Sequence, residues 1–198
     1  MATQSIKGSK TEQYILNSYL SETQAYARYI FYAQVADKES YFPVGVIFRE
    51  TADNEMHHAK VFLKMLENTE MTASTSVDAG FLGTTTANLE VAIREESVGG
   101  YDYYMEAAKV AHSEGFDDIA SHFEAIATCE KIHHDRFQKF LDMINNGTLW
   151  KREKPVTWKC LVCGYTEVGL VPPTKCPGCD HPYQHYIAIE DGYAPAPL

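Results

Sequence analysis

Glu55-Met56-His57-His58 and Glu130-Lys131-Ile132-His133 repeat one pattern, Glu-x-x-His, inside two long stretches of helical period. Residues three apart share a helix face, so each pair aims a carboxylate and an imidazole at one point. One such pair alone is a weak signal, because most face solvent. The weight comes from what surrounds the two pairs. The His-Glu-x-x-His of zinc proteases is absent, which argues against that class.

Working outward, the helical period gives four segments. The first runs from about Thr11 to Ala36, with an inward stripe at Ile15, Tyr19, Glu22, Tyr26, Tyr29 and Ala33. The second opens near Pro43, a favoured first-turn residue, and follows Val44, Ile47, Thr51, Glu55, His58, Phe62 and Met65. The third begins after Thr84-Thr85-Thr86, whose hydroxyls suit an N-cap, and follows Leu89, Ile93, Glu96, Gly100, Tyr103, Ala107 and Val110. Gly115 closes it and Asp117 is the expected N-cap of the fourth. That segment follows Ile119, Phe123, Ile126, Glu130, His133, Phe137, Phe140 and Ile144, and Asn146-Gly147 ends it.

Each stripe is apolar except near its middle, where a carboxylate or a carboxylate–histidine pair interrupts it. A charge on a core stripe is costly unless it is paired or bound to metal. The rule selects Glu96 over Glu95, which is expected to face water, and turns His57 and His134 away from the centre. Short links make segments one and two, and three and four, antiparallel hairpins. Asn68 to Gly83 is expected to cross over between them. The fold class is therefore mainly α, a ferritin-like four-helix bundle with one long crossover. Both hairpins have the same layout, a lone glutamate followed by Glu-x-x-His.

Six ligands follow: Glu22, Glu55, His58, Glu96, Glu130 and His133. Carboxylates with imidazoles suit iron or manganese, and zinc can also enter. Glu55 and Glu130 are placed to bridge two ions, Glu22 and Glu96 to act as terminal ligands. Two adjacent redox-active ions can deliver two electrons together, which splitting an O–O bond requires. Tyr29 and Tyr104 flank the site, as core packing, as hydrogen-bond donors to the glutamates or as electron donors. Cys129, beside Glu130, is read as a small buried hydrophobe rather than a redox-sensitive thiol.

From Asn145 the character changes. A charged linker, Lys151-Arg152-Glu153-Lys154-Pro155, leads to a Pro- and Gly-rich tail with β-like stretches at Val156-Trp158 and Tyr186-Ile189. So short a segment needs a staple. Cys160-Leu161-Val162-Cys163 and Cys176-Pro177-Gly178-Cys179 supply four thiolates for one tetrahedral ion, iron or zinc. The knuckle wording and the nearby Trp158, Tyr165 and Tyr183 favour iron, which in four thiolates relays single electrons. His112, His122, His181 and His185 carry no usable pattern.

Bulk properties narrow the partners. The 198 residues carry 17 Lys and Arg against 27 Asp and Glu, a net charge of -10. That balance argues against nucleic acid, which needs clustered Lys and Arg. No apolar run approaches a membrane span, and the first residues lack a signal-peptide pattern, so no membrane partner and a cytoplasmic location are expected.

With both modules in view, the chain resembles the rubrerythrin family, a ferritin-like di-iron domain (here 1–150) followed by a rubredoxin-like Fe(Cys)4 domain (151–198). The resemblance rests on Lys7-Gly8-Ser9 with Thr11-Glu12, Ser21-Glu22-Thr23-Gln24-Ala25, Glu50-Thr51-Ala52-Asp53, Thr86-Ala87-Asn88-Leu89 and both cysteine knuckles. It implies two irons in the bundle and a third in the cysteine site. It further implies reduction of hydrogen peroxide to water, as protection from oxidative stress. Electrons would come from NAD(P)H through a separate reductase to the rubredoxin-type iron. It also implies a homodimer in which one subunit's tail faces the other's bundle. One departure stands out. The family's third helix usually offers Glu-x-x-Glu, whereas this chain reads Glu96-Ser97-Val98-Gly99. The second carboxylate is missing, so His58 is expected to stay bound in both oxidation states. Glu95 would need a helix bulge to take the vacant place. The loss leaves a ferroxidase or O2-reducing oxidase as an alternative, and an iron-binding module with a structural zinc ribbon as another.

Overall fold

The computed structural model describes residues 4–67, 70–73 and 82–192. Two long helices come first, α1 (Lys10–Lys38) and α2 (Phe42–Met65). Ser9 caps α1 by accepting from the Glu12 N–H, and Glu12 reaches back to the Gly8 N–H at 2.7 Å. This reciprocal arrangement satisfies two orphan donors at once. Pro43 lies in the first turn of α2. The expected crossover falls largely outside the described residues.

The third rod of the bundle has three parts: α3 (Thr85–Arg94), a π-helical stretch (Glu95–Asp102) and α4 (Tyr103–Ser113). Thr84 caps α3 by accepting from the Ala87 N–H. The fourth rod is α5 (Asp117–Asn145), which ends before Gly147 at φ +65°. Asp117 does not cap it: Phe116 holds the cap position without a side-chain bond, and Asp117 instead lies 2.7 Å from His112.

Two apolar clusters fill the interior. Tyr29, Phe48, Leu89, Phe137 and Phe140 belong to one; Ile15, Phe62, Tyr104, Phe123 and Ile126 belong to the other. Each such side chain contributes roughly 1.5–3 kcal/mol by leaving water. On every rod the polar interruption falls in sequence between members of the two clusters, so the polar cage is closed by hydrophobic packing at both ends.

Three stripe positions differ from expectation. Tyr26 is 40% exposed, because the inward face of α1 runs through Ala25, about a hundred degrees away. Tyr103 is only half-buried and Tyr104 takes the buried place. The cause is the π-helical stretch, whose wider turn advances the inward face by one residue. Ala111, rather than Val110, is buried for the same reason.

The tail forms a three-stranded antiparallel sheet of order β2-β1-β3, with β1 (Val156–Cys160), β2 (Thr166–Gly169) and β3 (Tyr186–Ala188). Ile189 leaves the sheet and opens a single helical turn, α6 (Ile189–Gly192). Trp158 is fully buried among Cys160, Cys176, Tyr186 and Ala188, and its indole N–H donates to the Gly169 carbonyl at 3.0 Å. Tyr165 and Tyr183 are both more than a third exposed.

The tail rests on the α1–α2 turn of its own chain. His185 stacks on Phe42 with ring centres 3.7 Å apart, and Trp150 packs between Tyr41 and Tyr183. Asp191 joins Lys139 of α5 at 2.7 Å and also pairs with Arg152.

Candidate metal centre

Glu22 from α1, Glu55 and His58 from α2, Glu96 from the π-helical stretch, and Glu130 and His133 from α5 converge between the two apolar clusters. One ligand atom from each of Glu22, Glu55, His58 and Glu130 forms a set whose members lie within 4.8 Å of one another; Glu55, Glu96, Glu130 and His133 form a second. The sets share Glu55 and Glu130, and each has its own histidine and its own unshared glutamate. All four carboxylates and His133 are buried, and His58 is nearly so, at 14%. His57 and His134 point outward, the first towards Asp53 and the second towards Asp135.

Distances inside the cage are those of donors gathered round a shared charge. His58 Nδ1 lies 2.9 Å from Glu55, 3.4 Å from Glu130 and 3.8 Å from Glu22. His133 Nδ1 lies 3.0 Å from Glu55 and 3.5 Å from both Glu96 and Glu130. Yet Glu55 Oε1, Glu130 Oε1 and His133 Nδ1 form no hydrogen bond despite complete burial. Buried polar atoms are normally paired, so three orphans in one cage fit a pair of cations.

Protonation is pulled in opposite directions across the cage. Burial, then Glu55 and Glu130, hold Glu22 well above the usual carboxylate range. Burial, with Glu130 beside it, lifts Glu96 to about 8. Burial also works against the charge on Glu55, but the imidazoles of His133 and His58 beside it outweigh burial and keep that carboxyl low. Burial opposes a charged His58, yet Cys129, Glu130 and Glu55 around it push it up to about 12. Four carboxylates and two imidazoles in a dry site must share protons or cations, and cations satisfy more of them.

Neighbours orient the ligands. The Tyr29 hydroxyl donates to Glu96 and the Tyr104 hydroxyl to Glu22, so each unshared glutamate has its own tyrosine. The side-chain amide of Asn54 lies 3.2 Å from His133 Nε2, leaving Nδ1 for the cage. Cys129 is half-buried beside His58 and favours its charged form, a role beyond the small hydrophobe expected of it. In the sequence, the only signal for Asn54 is its place next to Glu55.

The two mid-helix glycines have separate reasons. A Cβ at Gly100 would fall 2.9 Å from Glu130 Cγ, so the shared carboxylate's stem needs that space. A Cβ at Gly99 would meet only Glu95 Oε2, at 3.8 Å, within 4 Å. Beside Gly99 a polar cavity of about 100 Å³ opens to solvent, lined by Ser21, Gln24, Arg28, Glu95 and the cage carboxylates. Glu95 therefore does not simply face water: it lines this mouth and pairs with Arg28 at 3.3 Å.

In the tail, the four sulfurs of Cys160, Cys163, Cys176 and Cys179 lie within 4.8 Å of one another. The Cys160–Cys179 and Cys163–Cys176 pairs are 3.7 Å and 3.6 Å apart. A tetrahedral ion with bonds of about 2.3 Å sets sulfurs about 3.8 Å apart, and a disulfide would need about 2 Å. Two similar turns present them. The Gly164 N–H donates to the Cys160 carbonyl at 2.9 Å, the Asp180 N–H to the Cys176 carbonyl at 2.9 Å, and both residues have positive φ. Burial opposes the Cys176 thiolate, but surrounding hydrogen bonds bring it down to about 6. A bond at His181 favours a thiolate at Cys179, yet burial and three neighbouring sulfurs push it up to about 12. Four thiolates together need a cation.

Comparison with known proteins agrees with this architecture. The rubrerythrin family model matches residues 13–85 and 87–160, and the model "Rubrerythrin, rubredoxin-like domain" matches 158–187. A rubrerythrin of Porphyromonas gingivalis is 38% identical, covering 96% of this chain and 94% of its own length. That of Nitratidesulfovibrio vulgaris is 37% identical over 92% and 95%. Among solved structures, fully reduced nigerythrin superposes with a TM-score of 0.59 at 23% identity, covering 95% of this chain and 91% of its own, a likeness of fold. With an iron pair suited to the bundle cage and a third iron to the four cysteines, the chain belongs to the rubrerythrin family.

Proposed function

We propose that this protein is a non-haem di-iron peroxidase that reduces hydrogen peroxide to two waters, using two electrons and two protons. The observation that carries the reading is the pair of ligand sets sharing Glu55 and Glu130. Glu22 and His58 would hold one ion and Glu96 and His133 the other, with Glu55 and Glu130 available to both. The iron pair supplies two electrons together when bound. The protein's own part is to gather the two ligand sets, close both ends of the cage with apolar packing and leave one approach open. Tyr29 and Tyr104 fix the unshared glutamates by donating to them. The polar mouth beside Gly99 gives a small oxidant such as peroxide a path to the cage carboxylates. His58, central to three carboxylates, stays with its ion in both oxidation states.

We assign residues 1–150 to catalysis and 151–198 to relay, with Cys160, Cys163, Cys176 and Cys179 holding the relay iron. Its electrons come from NAD(P)H through a separate reductase, in the cytoplasm. The protein works as a homodimer. The tail sits at Phe42, and Glu55 lies about 20 Å further along α2 at the helical rise of 1.5 Å per residue. Such a span is slow for direct transfer, so the relay iron serves a second copy's cage.

Rapid mixing of the fully reduced protein with peroxide or with O2 tests the reading. Faster reoxidation by peroxide is expected. Faster reaction with O2 supports the oxidase or ferroxidase alternative, which the missing carboxylate at Gly99 favours.

A further inference from the structure

Tyr104 donates to Glu22 at one end of the cage, and its ring begins a line of three phenols. Tyr103 lies edge-on to it with ring centres 5.6 Å apart, and Tyr14 of α1 follows Tyr103 at 5.4 Å. Both steps are within the range of direct aromatic contact. Tyr104 is buried, whereas Tyr103 and Tyr14 are half-buried, so the line runs from a metal ligand towards solvent. The π-helical stretch creates it. By advancing the inward face to Tyr104, the wide turn sets the adjacent Tyr103 sideways, against α1.

Packing alone does not account for a tyrosine at position 103. Its hydroxyl oxygen is shut off from water, with Asn17 and Ser18 beside it but no hydrogen bond of normal geometry. A phenyl ring would fill the same place without an unpaired polar atom. What the phenol adds is ease of oxidation, because it can give up an electron and a proton. The other cage tyrosine, Tyr29, has Tyr32 at 6.3 Å, and Tyr32 is itself buried, so that pair stays inside the bundle.

We propose that Tyr104, Tyr103 and Tyr14 form a ladder that carries a one-electron oxidising equivalent from the cage to the protein surface. Peroxide needs two electrons and two protons to become two waters, so at a cage holding a single reducing equivalent it is one electron short. Tyr104 supplies that electron and passes its hydroxyl proton to Glu22. Electrons then move from Tyr103 to Tyr104 and from Tyr14 to Tyr103. Glu22 returns the proton to Tyr104, Tyr103 ends unchanged, and Tyr14 releases its own proton to solvent. Peroxide draws its two protons from solvent. The neutral phenoxyl radical left at Tyr14 takes a hydrogen atom from a soluble thiol, which becomes the thiyl radical. The ligands thus stay intact, and the inference rests on the peroxidase reading.

The test uses the full iron-loaded chain, poised so that the cage holds one reducing equivalent and the four-cysteine iron none. It is mixed with peroxide and a nitroso spin trap, without thiol. Electron paramagnetic resonance is expected to show a tyrosyl radical, and mass spectrometry to place the trap adduct on Tyr14. Tyr103→Phe is expected to abolish the Tyr14 adduct while a radical persists at Tyr104. Tyr32→Phe is expected to leave the adduct unchanged. Both variants should match the unaltered protein when the fully reduced form is reoxidised by peroxide, which calls on no tyrosine electron. A Tyr14 adduct that survives Tyr103→Phe overturns the inference, as does a radical confined to Tyr29 and Tyr32, or none at all. If peroxide fails to reoxidise even the fully reduced protein, the peroxidase reading falls and the ladder with it.

Discussion

Glu130 lies against Gly100 so closely that a single added methyl group would overlap its side chain, 2.9 Å from Cγ and 3.0 Å from Cβ. These atoms are the stem of the carboxylate shared by both ligand sets, not a flexible tip. A helix segment with two adjacent glycines is weakened by about 1 kcal/mol for each relative to alanine. Here that cost allows the third and fourth rods to approach closely enough to seat Glu130.

Gly100→Ala should therefore displace the shared carboxylate although it raises helix propensity. Manganese(II) calorimetry should show binding of both ions weakened by about tenfold or more. Circular dichroism should show helix content unchanged. Wild-type affinity would mean that Glu130 does not depend on this contact.

Tyr29 and Tyr104 serve different glutamates from different rods. Removing either hydroxyl leaves a buried carboxyl oxygen without its donor, a loss of about 1–3 kcal/mol. Tyr29→Phe and Tyr104→Phe should each lower the unfolding free energy of the metal-free protein, read from urea denaturation, by that amount. The two losses should add in the double variant, since the hydroxyls share no partner. Strong non-additivity would reveal coupling through the cage.

The cage sets a pH dependence whose sign can be worked out. Glu96, raised to about 8 chiefly by burial, and His58, raised to about 12 by its hydrogen-bonded partners against burial, hold protons that the unfolded chain has released. Each makes the folded state lose stability as pH rises, Glu96 from its unfolded value to about 8 and His58 from its own upwards. Glu55 and Glu130 are held low and act oppositely, but only in acid. The melting temperature of metal-free protein should thus fall between about pH 6.5 and 8.5. Metal-loaded protein should not follow, because cations replace those protons. A flat profile in the metal-free protein would contradict this distribution of charge.

The tail is small enough to depend on its ion. Cys163 is the exposed member of the set, so Cys163→Ser perturbs little packing of its own. It should abolish the ferric–thiolate colour and speed amide exchange through β1, β2 and β3, leaving α1 and α5 protected. Retained protection across the sheet would show that the core around Trp158 stands without metal.

Some of this protein was legible from its residues because the information is local. Glu-x-x-His puts two ligands on one helix face whatever that helix packs against, and Cys-x-x-Cys closes a knuckle within four residues. The four apolar stripes, the Pro43 and Thr84 starts and the Gly147 stop are read by the same short-range geometry. Tertiary packing decided the rest. No propensity favours the π-helical turn at Glu95–Asp102; it persists because Gly100 admits Glu130 and Tyr104 reaches Glu22. That turn advances the inward face from Tyr103 to Tyr104 and brings Glu95 to the mouth of the cavity. Asn54 against His133, Cys129 against His58 and His185 against Phe42 are likewise meetings of distant or differently facing segments. Period and spacing specify which side chains share a face; only the packed rods specify which faces touch.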